Sequence, residues 1–148
     1  MNKYRELKDK QEKELNAFPM FFAFNNKQFN EGMDRLGLRP EQTTEILKLR
    51  NTGGYIRKAD DAKFTSMWNR FNKEHDDAIK ADPTGDGYVF DMFFYELENH
   101  EFIITWCIDD TLDALGISLD EITDKPNLRH GLNKAIRAIR KNYNDNDN

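Results

Sequence analysis

The chain is 148 residues long, 38% hydrophobic and 33% charged, with a formal net charge of −5. That length buries one ordinary core without disulfides or a structural metal, and 11 Phe, 5 Tyr and 2 Trp supply bulk for it. The single cysteine, Cys107, excludes an intrachain disulfide framework, and the longest apolar stretches, such as Phe18 to Phe24, fall far short of the about 20 residues a helical membrane span needs.

In chain order, residues 2–17 place Tyr4, Leu7, Gln11, Leu15 and Phe18 at three- and four-residue steps among Lys and Glu, which predicts a charged surface helix ended by Pro19. Phe18 to Phe24 reads as a core strand. Asn25 or Asn26 is placed to cap a helix that buries Phe29, Met33 and Leu36 and stops at Gly37. Pro40 and the apolar Ile46, Leu47 and Leu49 suggest a helix of about two turns, interrupted at Asn51, Thr52, Gly53 and Gly54. From Asp60 to Ala81 a single stripe, Phe64, Met67, Trp68, Phe71, His75, Ala78 and Ile79, follows the helical period, and His75 is expected as a hydrogen-bonded core residue.

Asp82 to Gly87 is a turn by composition, followed by a helix from Tyr88 to Asn99. Phe102 to Ile108, rich in β-branched and aromatic residues, is the expected antiparallel partner of Phe21 to Phe24, with Cys107 buried and unreactive beside Trp106. Asp109 or Asp110 would cap a short helix ending at Gly116, and Ser118 with Glu121 forms a capping box. Asn127 opens a last helix with Leu128, Leu132, Ala135, Ile136 and Ile139 inward and Arg129, Lys134, Arg137, Arg140 and Lys141 outward. The expectation is a mainly α (α+β) fold: one compact helical domain over 1–143 with a small two-stranded antiparallel element, then a disordered tail over 144–148. The N-terminal MNKYRELKDK lacks the apolar run of a secretion leader, so a reducing cytoplasm is the expected compartment.

Charge is unevenly spread. Residues 1–75 hold 15 Lys/Arg and 11 Asp/Glu, residues 76–124 hold 1 and 14, and residues 125–148 hold 6 and 2. Two readings of the acidic middle stay open. The acids can be neutralised internally, by capping helices and by the basic last helix. Alternatively they share one surface and present a negative field to a basic partner, with Asp82, Asp86, Tyr88, Asp91, Glu98, Glu101, Asp109, Asp110 and Asp113 as contact candidates.

Other motifs are weaker. Asp82, Thr84, Asp86, Gly87 and Val89 echo a calcium loop, but Phe93 stands where the bidentate Glu belongs, so a plain Asp-Gly turn is the better reading. Glu96 and His100 lie four apart and could offer two ligands to a metal, with His75 and His130 as further donors, yet no zinc motif accompanies them. Gly53, Gly54, Arg57 and Lys58 resemble a small phosphate cradle without the Gly-Lys-Ser/Thr of a nucleotide loop. No metal or cofactor is expected.

The segments FFAFNNKQFNEGMDRLGL (21–38), GGYIRKADDAKF (53–64) and FYELENHEFIITWCIDDTLDALGI (94–117) resemble small accessory proteins of phages, conjugative plasmids and other mobile elements of gut bacteria. That resemblance brings no catalytic residues. It implies a role by binding, such as inhibition of host defence in the manner of anti-CRISPR proteins. The expected function is therefore a non-enzymatic binding protein whose acidic middle engages a basic host protein such as a nuclease. The alternatives are a nucleic-acid-binding regulator using Arg57, Lys58 and the basic last helix, and a small metal-dependent enzyme at Glu96 and His100.

Overall fold

The computed structural model describes residues 1–146. Among them are eight α-helices and one three-stranded antiparallel sheet, a mainly α fold with a small β element. Among the described residues no helix is long and apolar enough to cross a membrane. The chain divides into two compact units, one made of residues 1–11 with 73 onward, the other of residues 12–72. The division falls within α1 (Lys3–Ala17) and α3 (Asp61–Lys80).

The 12–72 unit carries the sheet. Strands β1 (Met20–Phe22) and β2 (Ile46–Lys48) flank β3 (Gly54–Arg57), with Phe21 opposite Tyr55 and Leu47 opposite Ile56. Helix α2 (Asn26–Arg35) starts at Asn25, whose side chain accepts from the Gln28 amide at 2.8 Å. Its Met33 packs with Phe21 and Ala23, and Phe21 stacks on Tyr55 with ring centroids 5.1 Å apart.

Two expectations fail here for one reason. A 3-10 turn (Thr43–Glu45) leads into β2, so Ile46 and Leu47 lie in a strand and not in a helix, and Gly53 sits in the turn between two strands with Gly54 beginning β3. Asn51 (φ +60°) and Gly53 (φ +73°) take the left-handed region, which closes a hairpin and holds Leu47 against Ile56. A short apolar run has no period of its own, so the hairpin decides its conformation.

The other unit is helical. At its centre lies α4 (Tyr88–Asn99), with Val89, Met92, Phe93 and Leu97 fully buried. Helix α8 (Pro126–Asn146) lays Leu128, Leu132, Ala135 and Ile139 on it. Gly131 permits that approach, since a Cβ there would lie 2.6 Å from Val89 Cγ1. Pro126, not Asn127, opens the helix, and the Asn127 amide donates to the carbonyl of Asp82 at 3.1 Å. The helix also runs past the expected start of a tail at 144 to Asn146; residues 147 and 148 lie outside the described residues.

Phe102 to Ile108 is no strand. Residues Phe102–Thr105 make one helical turn, α5, bracketed by Glu101 (φ +54°) and Trp106 (φ +56°), both left-handed. Phe102 is buried in the helical core, and its ring meets Trp106 edge-on at i, i+4 spacing. Helices α6 (Asp109–Leu115) and α7 (Leu119–Asp124) follow, α6 closing on Gly116 at φ +65°. Ser118 caps α7 through the Glu121 amide at 3.2 Å. Asp109 and Asp110 do not cap α6; they sit in its first turn, after Ile108.

Candidate functional site

Eleven of the fourteen acids of residues 76–124 fall into two sets; Asp76, Asp120 and Asp124 are exposed, have no ion-pair partner among the described residues and lie outside the 98–113 segment. The first set has internal partners. Asp82 accepts from the amides of Gly85, Gly87 and Val89 at 3.0–3.1 Å and from the Thr84 hydroxyl at 3.3 Å. Its carboxylate therefore organises the turn into α4, and the calcium-like spacing around it is an Asx-type turn. Asp86 lies 2.7 Å from His130 Nε2 and 3.0 Å from Lys134 Nζ, and these hydrogen bonds, His130 first, hold its carboxyl below the ordinary carboxylate range. Asp91 accepts from the Lys3 amide at 2.9 Å. Asp77 takes Lys73 at 2.6 Å, and Glu121 lies 3.9 Å from Lys125. Asp82, Asp86 and Asp91 are thus structural. Tyr88 is buried, with its hydroxyl 2.7 Å from His75 Nδ1.

Glu96 is the most enclosed of these acids. One oxygen takes the Tyr4 hydroxyl at 2.8 Å and Lys8 Nζ at 3.3 Å; the other lies 3.2 Å from His100 Nε2. Burial first, and then Glu96, push the Tyr4 hydroxyl far above its usual range. Glu96 and His100 gain no third candidate ligand among the described residues. Lys8 supplies the positive charge, His75 is held at Tyr88 and His130 at Asp86, and no group of three potential ligands converges among the described residues.

The second set is Glu98, Glu101, Asp109, Asp110 and Asp113. All five are exposed and none has an ion-pair partner among the described residues. Glu98 and Glu101 line a depression of about 300 Å³ with Tyr143 of α8. The same 98–113 segment carries Ile104 at 71% and Trp106 at 55% exposure. Cys107 is exposed as well, contrary to the buried thiol expected of a strand. Arg140 lies 5.0 Å from the Trp106 ring centroid, and the Thr111 hydroxyl donates to the Glu96 carbonyl at 3.3 Å, tying α6 to α4. The apolar residues are thus presented from an anchored segment. Two non-glycine residues in the left-handed region, each costing about 1–2 kcal/mol, are a strain that this segment retains. Sequence reasoning missed Ile104 and Trp106 by counting them as strand interior. The i, i+4 spacing of Phe102 and Trp106 was the available signal.

The four phosphate candidates do not converge. Gly54 begins β3 and donates to Thr52 Oγ1 at 3.0 Å, while Arg57, at the other end of that strand about 10 Å away, pairs with Asp60 at 2.8 Å. Lys58 opens the next turn, and Gly53 alone stays at the hairpin tip. Several cations of α8 are also engaged: Lys134 on Asp86, Arg129 on the Thr123 carbonyl at 2.7 Å and Arg140 on Trp106.

In comparisons with known proteins, a family model described as a family of unknown function (DUF7659) matches residues 3–138. No curated protein and no solved structure matches.

Proposed function

This chain belongs to the DUF7659 family, and we propose that it is a non-enzymatic binding protein that engages a basic protein surface through residues 98–113. The supporting observation is that this segment combines two exposed large hydrophobics with five carboxylates that have no ion-pair partner among the described residues. A buried aromatic anchor inside a charged rim is the usual anatomy of a hot spot, in which the anchor supplies affinity and the rim supplies steering and register. A partner with Lys and Arg around an apolar pocket is the complement. The groove of a nucleic-acid-handling protein fits that description, because cations clustered for phosphates also attract carboxylates.

The test is capture of partners from a cell lysate at about 0.05 M and 0.5 M salt, using the wild type, Trp106→Ala and a variant with Glu98, Glu101, Asp109, Asp110 and Asp113 changed to Lys. A partner retained by the wild type at low salt and lost from both variants supports the reading. Equal retention by all three proteins overturns it. Asp86→Asn, which changes a carboxylate already paired with His130 and Lys134, is expected to retain the partner.

A further inference from the structure

We infer that the 12–72 unit holds a second site, a depression beside the β2–β3 hairpin that binds a nucleoside phosphate unit. The cavity measures about 790 Å³, within the range of small-molecule sites, roughly 300–1,000 Å³. Phe24 and Asn26 border it from the stretch where β1 passes into α2, and Lys48, Asn51 and Gly53 border it from the hairpin.

Three properties of the lining select the ligand. The Phe24 ring is 79% exposed and lies close against Gly53, where a Cβ would come within 2.5 Å of a ring carbon, so the hairpin tip supports an aromatic face that the core does not use. Such a face stacks a planar heterocycle. The carboxamides of Asn26 and Asn51 are exposed and make no hydrogen bond among the described residues. Each offers a paired donor and acceptor, the pattern displayed by the edge of a base. Lys48 is the one charged residue in the lining and has no carboxylate partner among the described residues, which places a cation where an anionic group would sit.

Together these describe a flat, polar-edged ring joined to an anion. A purely apolar ligand would leave the amides unpaired, and a cation would meet Lys48. The charge of the unit agrees: residues 12–72 hold ten Lys/Arg against eight Asp/Glu, a net of +2 in a chain whose total is −5. The site also differs from the phosphate cradle suggested by residues 53–58. Gly53 remains, Arg57 and Lys58 drop out, and Lys48 takes the cationic role.

A nucleoside phosphate can come from a free nucleotide or from a single strand, and the experiment separates them. The full chain is titrated by calorimetry with AMP, GMP, CMP and UMP, and separately with short single-stranded DNA and RNA oligomers. Saturable binding of a monophosphate assigns a free nucleotide, and saturation by an oligomer alone assigns a strand. In either case Phe24→Ala is expected to weaken binding about tenfold, in line with loss of one stacked base. Lys48→Gln is expected to weaken binding and to lower its salt dependence. Both residues are exposed, and unchanged far-UV circular dichroism checks that each variant folds. Absence of saturable binding to any of these probes, or binding that both folded variants leave unchanged, overturns the assignment.

Discussion

Residues 82–91 and 98–113 are comparably acidic by sequence and opposite in what their acids do. In the first stretch Asp82 is spent on three backbone amides, Asp86 on two cationic side chains of α8 and Asp91 on the amide of Lys3. In the second, five carboxylates have no such partner among the described residues, and Ile104 and Trp106 are exposed in the same segment. The difference teaches that a run of negative charge measures availability only after local amides and nearby cations have taken their share. Asp82 precedes a helix by the few residues that let it accept from amides around the helix start, whereas Asp109 and Asp110 already lie inside the first turn and have only a diffuse dipole interaction.

Stability measurements can break this comparison. The largest effect is expected at Glu96, between the two stretches in sequence: Glu96→Ala leaves the buried Tyr4 hydroxyl and Lys8 without their acceptor and should cost about 3 kcal/mol in urea unfolding. Asp82→Ala should cost about 2 kcal/mol, since three amides lose one carboxylate. A smaller effect concerns pH. Burial lowers the His75 pKa below its ordinary 6.5, so the unfolded chain takes up a proton before the folded one. Stability from this group is therefore present above pH 6.5 and falls as the pH is lowered from there, and His75→Gln should flatten that part of the curve. Glu101→Gly relieves a left-handed residue and should stabilise by about 0.5–1 kcal/mol, provided the turn keeps φ near +54°. Smallest of all, changing Glu98, Asp109 or Asp113 singly to Gln or Asn should move stability by less than about 0.5 kcal/mol. A loss as large as that of Asp82→Ala would mean that the second stretch is structural too.

Periodicity made the long elements legible. The α3 residues Met67 and Phe71, the α4 residues Val89, Phe93 and Leu97, and the α8 residues Leu128, Leu132, Ala135 and Ile139 are buried as a 3.6-residue repeat requires, while Trp68 of the α3 stripe is 41% exposed. Local cap chemistry was legible at Asn25 and Ser118, where donor and acceptor are three residues apart. Residues 46–48 and 102–105 were misread in opposite senses, because four or five apolar residues fit a strand or a helical turn equally well and contacts distant in sequence decide between them. The site was legible only as a charge count. Which acids are consumed depends on pairs such as Asp86 with Lys134, 48 residues apart, and Glu96 with Tyr4, 92 apart, for which local spacing carries no signal.

The most direct test is a nuclear magnetic resonance titration of the full chain with an arginine-rich peptide carrying one leucine anchor. Amide shifts are expected to concentrate in residues 98–113, with the Trp106 indole among the most perturbed, while residues 82–91 stay near their free positions. Shifts centred on Asp82 to Asp91, or spread evenly over every exposed acid, would contradict this expectation.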